Sequence, residues 1–336
     1  MYEDIPMWLS LVMMIGGLVA LAWSSDVFVD GAAAVAKFLG ISPFIIGMVI
    51  IGFGTSAPEL CVSAMSGMNG HSDLSLGNAY GSCIFNIAVI IGVAVLIFPL
   101  VVKPSVTFVA GPLLGGIAAF SLFILRDGTC SRSEAIILLA AFAVILPFYC
   151  WYDQKNSPAK PEDEVEKTGG GEKGGKAKRL LISLAKLVVG LGVLVGSSHY
   201  LVWGAVDFAK WAGVSDLVIG LTIVAAGTSL PELASAIQSA RKGEHEFVLG
   251  NIIGSNLFNT LAVVGLATVI SPAKDFSHYI LTRDLPLMIA LSFSITLFGI
   301  NWKHPKWPGV IQKKEAWVWL AVFVGYTLLM LWQETH

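Results

Sequence analysis

The sequence predicts an all-α membrane protein of ten transmembrane helices, arranged as two inverted five-helix repeats with broken helices at an ion site. Three observations carry that reading: a chain too apolar to be solvated, ten hydrophobic stretches of bilayer length, and a motif pair that occurs twice at a constant offset. Of 336 residues, 55% are hydrophobic and 13% charged, with a mean hydropathy of +0.76. A soluble domain carries roughly 25% charged residues, so most of this surface is expected to face lipid. The net charge of −2 argues against a nucleic-acid partner. Four cysteines, Cys61, Cys83, Cys130 and Cys150, form no C-x-x-C pair and read as small apolar residues, not as a disulfide framework or metal site.

A hydrocarbon core of about 30 Å needs about 20 apolar helical residues. Stretches of that kind run near 7–36, 42–68, 74–98, 105–125 and 133–152, then 180–210, 215–240, 247–271, 283–301 and 315–332. Met1 to Pro6 is acidic and has no Lys or Arg, which is unlike a signal peptide, so the first stretch is expected to be a retained span. The only long polar segment lies between the fifth and sixth stretches. It divides the chain into residues 1–152, a Lys-, Glu- and Gly-rich loop at 153–179, and residues 180–336. That loop is too polar to build a core.

Orientation follows from the basic residues of the connections. With the N-terminus outside, only Arg126, Arg132, Lys210, Lys274 and Arg283 fall outside, and Lys186 sits near the inner end of the sixth span. The other fifteen of the 21 Lys and Arg fall inside. Both termini are therefore expected on the periplasmic or outer side of a bacterial inner membrane, with the long loop in the cytoplasm.

The repeat is explicit. Gly54-Thr55-Ser56-Ala57-Pro58-Glu59-Leu60 recurs as Gly227-Thr228-Ser229-Leu230-Pro231-Glu232-Leu233, an offset of 227 − 54 = 173. Gly77-Asn78-Ala79-Tyr80-Gly81-Ser82-Cys83-Ile84-Phe85-Asn86 recurs as Gly250-Asn251-Ile252-Ile253-Gly254-Ser255-Asn256-Leu257-Phe258-Asn259, and 250 − 77 is again 173. The register extends without a gap from Ser24-Ser25 (Ser197-Ser198) to Pro99 (Pro272). Five spans per half is an odd number, so the second half enters the membrane inverted relative to the first.

Glu59 and Glu232 sit inside hydrophobic stretches, away from both ends. An ionised carboxylate at mid-bilayer costs about 2.5–3.5 kcal/mol even on the lenient insertion scale. Neutralisation by core Lys or Arg is disfavoured, because none lies near the middle of a span. A bound cation is the remaining offset. Pro58 and Pro231 remove a backbone donor beside each acid, and Gly52, Gly54 and Gly227 are expected to let the chain unwind there. Freed carbonyls that line a cavity become ligands. Thr55, Ser56, Thr228 and Ser229 add hydroxyl oxygens. Ser82 and Asn86, and likewise Ser255 and Asn259, lie at i and i+4 on one helical face. Gly77 with Gly81, and Gly250 with Gly254, form small-xxx-small pairs suited to close helix approach. Every candidate ligand is an oxygen, which suits hard cations such as Ca²⁺ and not zinc or copper. Two carboxylates carry −2, which one Ca²⁺ neutralises; two or three Na⁺, or two protons, could load the same cavity.

These motifs closely resemble the two alpha-repeats of the sodium/calcium exchanger (cation/calcium antiporter) superfamily, in particular its compact bacterial calcium/sodium antiporters. The resemblance covers both halves. It implies ten helices, a central cluster of Glu59, Asn86, Glu232 and Asn259, flanking oxygens from Thr55, Ser56, Ser82, Thr228, Ser229 and Ser255, and alternating access by sliding of the first and sixth helices against a fixed core. Membrane lipid is the expected environment, Ca²⁺ and Na⁺ the transported ions, and neither a cofactor nor an obligate protein partner is expected. Asparagine at both 86 and 259, where some members carry aspartate, resembles the potassium-independent members. The first repeat reads Gly-Ser-Cys where the second reads Gly-Ser-Asn, so Cys83 is expected to weaken one sodium subsite. Asp26 and His199 occupy equivalent places and are expected to make interhelical hydrogen bonds.

Three other classes compete. A H⁺/Ca²⁺ exchanger resembles this chain, but proton-coupled members of the superfamily typically place further acids in the second motif. A passive cation channel would not need occluding broken helices in both repeats. An intramembrane enzyme needs a paired nucleophile and base, or H-E-x-x-H, and neither occurs.

Overall fold

The computed structural model describes residues 6–70, 72–156, 173–211, 225–274 and 276–335. Its helices follow the hydrophobic stretches closely. They are α1 (Met7–Leu39), α2 (Pro43–Thr55), α3 (Ala57–Met68), α4 (Ser72–Ile97), α5 (Val106–Ile124), α6 (Arg132–Asn156) and α7 (Lys173–Trp211), then α8 (Ala225–Thr228), α9 (Leu230–Arg241), α10 (His245–Ile270), α11 (Ile280–Gly299) and α12 (Lys313–Thr335). Local chemistry sets the ends. Gly40, at φ 62°, closes α1 in the left-handed conformation, which a side chain would disfavour. Ser42 then caps α2 by accepting from Ile45 N at 3.2 Å, and Pro43 occupies the first turn, where a missing N–H costs nothing.

Among the described residues, eight helices are long and apolar enough to cross a membrane, and the bent pair α2–α3 makes a ninth candidate. The seventh stretch, expected at 215–240, falls partly outside the described residues; only its second part, α8 and α9, is seen. The polar loop expected at 153–179 is shorter than its composition suggested. α6 runs on through Asp153 to Asn156, and α7 begins at Lys173, with residues 157–172 outside the described set. The α6 extension is held because Asp153 is buried against Ser42 Oγ at 2.5 Å and Gln154 Nε2 donates to Gly40 O at 2.9 Å.

The centre of the molecule is crowded, with a buried polar cluster set in a larger apolar core, and the periphery is apolar. Of the most apolar stretch of α10, 89% is buried, against 22% for α1 and 11% for α12. Exposed residues on the outer helices include Trp8, Ile15, Val19, Val324 and Leu328. α2 and α10 run parallel and meet backbone to backbone. A Cβ on Gly250 would overlap the carbonyl of Phe44, and one on Gly254 that of Met48. The small-residue reading therefore holds in the second repeat. Gly77 and Gly81 meet nothing described within 4 Å; the segment equivalent to Phe44–Met48 falls at 217–221, outside the described residues.

α1 and α7 are equivalent helices of the two halves and pack antiparallel. Gly17 faces Leu201, Phe28 faces Gly190 and Gly31 faces Leu187. Equivalent segments running in opposite directions are what an inverted repeat requires. Two short pairings that the sequence reading did not anticipate repeat the relation. β1 (Leu100–Val102) pairs antiparallel with β2 (Gly309–Ile311), with Leu100 opposite Ile311. Ala273, 173 residues after Leu100, pairs with Cys130.

Candidate cation site

Each acid stands just after a break in its helix. Between α2 and α3 the axis bends by 44° at a single residue, Ser56, with φ −82° and ψ 3°. Ser229 is the corresponding single-residue turn between α8 and α9, with φ −92° and ψ 10°. The expected unwinding through Gly52 and Gly54 is thus corrected to a sharp kink. The helical backbone bond Ser56 N→Gly52 O, at 3.1 Å, survives, and Gly52 serves close approach instead: a Cβ there would lie 3.0 Å from Ser255 N. Proline still frees a carbonyl four residues earlier, at Gly54 and at Gly227. In the second repeat that carbonyl accepts from Ser198 Oγ at 3.0 Å.

The kinks bring the two motifs face to face, and the hydroxyls cross between halves. Ser229 Oγ donates to Glu59 Oε1 at 2.9 Å, and Ser56 Oγ donates to Glu232 Oε1 at 3.2 Å. Ser82 lies 3.4 Å from Ser229 Oγ, and Ser255 Oγ lies 3.5 Å from Glu232 Oε1. Thr228 faces the Glu59 carboxylate and Thr55 the Glu232 carboxylate. Both glutamates are fully buried, and among the described residues no Lys or Arg pairs with either. Their second oxygens, Oε2 of Glu59 and Oε2 of Glu232, have no hydrogen-bond partner there. Asn86 and Asn259 are also fully buried, with Asn86 Oδ1 and both polar atoms of Asn259 unpartnered among the described residues.

Four buried amide or carboxylate side chains with free oxygens are costly in an apolar interior. Their arrangement supplies hard oxygen donors and two acids, which together carry two negative charges once ionised, as a cation such as Ca²⁺ or Na⁺ requires. The helices carrying the asparagines also depart from regular form: α4 is a π-helix over Asn86–Ile91 and α10 over Phe258–Val263. π-turns occur also at Gly47–Ile51, Val106–Ala110 and Ile280–Asp284, so they do not single out the site, and the i, i+4 spacing of Ser82 with Asn86 gave no sign of them.

Sequence reasoning missed two supporting asparagines, Asn78 and Asn251, and gave the third, Asn256, no partner. Asn78 Nδ2 donates to Glu59 O at 3.2 Å and Ser63 Oγ at 2.9 Å. Asn251 Oδ1 accepts from Thr55 Oγ1 at 3.3 Å, while its Nδ2 reaches Ser235 Oγ at 2.9 Å. Asn256 bridges the two repeats. Asn78 and Asn251 were marked by recurring at the same offset as the glutamates. Asp26, by contrast, makes an interhelical ion pair with Lys242 at 2.7 Å, as does Asp30 at the same distance, so its interhelical role is electrostatic and lies outside the site.

The sodium/calcium exchanger protein family model matches twice, over residues 9–151 and 182–332. The chain belongs to that family. Among its relatives, the putative antiporter CaxA of Alkalimonas amylolytica is 38% identical over 96% of this chain and 99% of its own length. The sodium/calcium exchanger MaX1 of Methanosarcina acetivorans is 31% identical over 90% and 95%. Among solved structures, the sodium-calcium exchanger NCX_Mj soaked with 10 mM Na⁺ and zero Ca²⁺ superposes with a TM-score of 0.80 at 28% identity, covering 97% of this chain and 99% of that one. In this exchanger-family fold, all ten sequence-predicted site residues lie on the paired motif segments. Nine are buried outright; Thr228 is half-buried.

Proposed function

We propose that this chain is a secondary active antiporter that exchanges Ca²⁺ for Na⁺ across the inner membrane by alternating access, using ten spans in two inverted halves. The observation that carries the reading is the crossed pair of serine–glutamate bonds, which leaves Oε2 of Glu59 and of Glu232 buried and without a partner among the described residues. Glu59, Glu232, Asn86 and Asn259 are the central ligands, and Thr55, Ser56, Ser82, Thr228, Ser229 and Ser255 the flanking oxygens. The family membership and the likeness to the sodium/calcium exchangers MaX1 and NCX_Mj support the same ions. One Ca²⁺ balances the two carboxylates; three Na⁺ in exchange would move one net charge and make the cycle voltage-sensitive.

Sodium is favoured over protons as the driving ion because the two amides cannot titrate. Only Glu59 and Glu232 offer proton sites in this set, so protons act as competitors for the cation. An outward Na⁺ gradient across proteoliposomes at constant pH is expected to drive Ca²⁺ uptake, and a protonophore to leave that uptake in place. Equal uptake driven by a pH gradient in sodium-free buffer would replace sodium with protons.

A further inference from the structure

The two asparagines proposed as ligands are held in different ways, and the difference traces to one position in each repeat. Asn256, next to Ser255, is fully buried and reaches across to the other half. Its Nδ2 donates to the backbone carbonyl of Cys83 at 3.2 Å, and its Oδ1 accepts from Asn86 Nδ2 at 3.0 Å. A carbonyl oxygen only accepts, so Asn256 must turn its NH₂ group toward Cys83. Its oxygen therefore faces Asn86, which must answer with its own NH₂. Asn86 Oδ1 is thereby left pointing away, and it is the atom without a partner among the described residues. The orientation of a buried amide is thus dictated, through one relay, by a backbone group that cannot flip.

The mirror of this relay is broken. Cys83 occupies the position of Asn256 in the first repeat, since 256 − 83 = 173. Its Sγ lies 3.7 Å from the backbone carbonyl of Asn256, which reproduces the cross-repeat link to the carbonyl. A thiol has no second arm to receive Asn259 Nδ2. Thr260, standing where the first repeat has Ile87, fills the space instead: its Oγ1 donates to Asn256 O at 2.7 Å and lies 3.6 Å from Cys83 Sγ. Both Nδ2 and Oδ1 of Asn259 are left buried and without a described partner.

From this geometry we propose that Asn256 is a positioning residue that presets Asn86 as an oxygen donor, and that Cys83 leaves Asn259 free to reorient, so the two halves of the cation site are inequivalent. This inference rests on the cation-exchange reading and deepens it. A preset oxygen strengthens binding because no reorganisation is needed. A free amide can turn its oxygen to whichever ion is bound and release it again. The Asn86 half therefore sets affinity, and the Asn259 half lets one cavity serve ions of different charge.

The test is a Ca²⁺ titration, and a parallel Na⁺ titration, of the full chain in detergent. The variants are Asn256→Ala, Asn86→Ala, the double variant and Cys83→Asn. Asn256→Ala is expected to weaken Ca²⁺ binding about tenfold, the loss of one well-formed hydrogen bond's worth of preorganisation. In the Asn86→Ala background the same change should cost nothing further. Multiplying losses there would overturn the relay, because a merely structural role adds independently. Cys83→Asn is expected to tighten Ca²⁺ binding and slow Na⁺-driven release, and it decides the matter alone if Asn256→Ala does not accumulate. Unchanged affinity in folded Cys83→Asn protein overturns the proposal. Wild-type protein that binds Na⁺ but not Ca²⁺ would count against calcium exchange, while the same cycle read with Na⁺ still tests the relay.

Discussion

α10 and α1 are both long, apolar helices that meet their partners through glycine, yet they are used in opposite ways. α10 is buried over almost its whole apolar stretch and meets α2 so closely that a single Cβ would strike main chain. α1 buries 11 of its 33 residues and is tied chiefly to one partner, α7, which it also meets main chain to main chain at Gly31 and Gly190, but along one face. Backbone-to-backbone packing on several sides has no second register, because interiors are close-packed and resist small shifts. A helix held along one face, with the rest against lipid, can translate without opening a cavity. The proposed ligands sit on or beside the first kind of helix. The second kind is the pair that sliding alternating access would move.

Five variants would break or sharpen that contrast, in decreasing order of effect. Glu59→Gln and Glu232→Gln should each abolish Ca²⁺ uptake, by a hundredfold or more, while the protein still inserts. Removing either charge leaves −1 against a divalent ion. Normal uptake by either well-expressed variant would remove that glutamate from the site. Gly254→Val should cost about 3 kcal/mol or more through overpacking against the Met48 backbone. It should be seen as loss of monodisperse protein and not as an altered ion preference.

Gly190→Ala acts on the other pair, where a Cβ would lie 2.8 Å from the Phe28 backbone. If α1 and α7 slide, this variant should remain folded and bind Ca²⁺ with wild-type affinity, yet turn over several-fold more slowly. Wild-type turnover in folded protein would argue that the pair does not move. The smallest effect is expected from replacing residues 157–172 by a short flexible linker. That stretch is Lys-, Glu- and Gly-rich and should be dispensable, with exchange within about twofold of wild type. A large loss would give the segment a role that its composition does not suggest.

Much of this is legible in the sequence alone. Helix limits from hydropathy alone fell within a few residues for most spans, because each needed a bilayer-length apolar run. Glu59 and Glu232 were legible because an acid inside such a run is expensive and here recurs in register. The kinks were placed less well. Proline and glycine marked the region, but the bend falls on Ser56 and Ser229, since the chain needs only one non-helical residue to redirect the following turn. The π-turns at Asn86 and Phe258 left no pattern, because these segments are buried almost all round and show no polar face whose phase a wider turn would shift.

By itself the sequence determined which residues are apolar, where helices must end, and that two halves share a motif at a constant offset. Those properties depend on local chemistry and on spacing along the chain. The partners across halves were decided only by the tertiary structure. Ser229 serves Glu59, Ser56 serves Glu232, and Asn256 sets Asn86 across a separation of 170 residues. A hydrogen bond depends on distance and direction in space, and neither is written in the order of residues until the helices have packed.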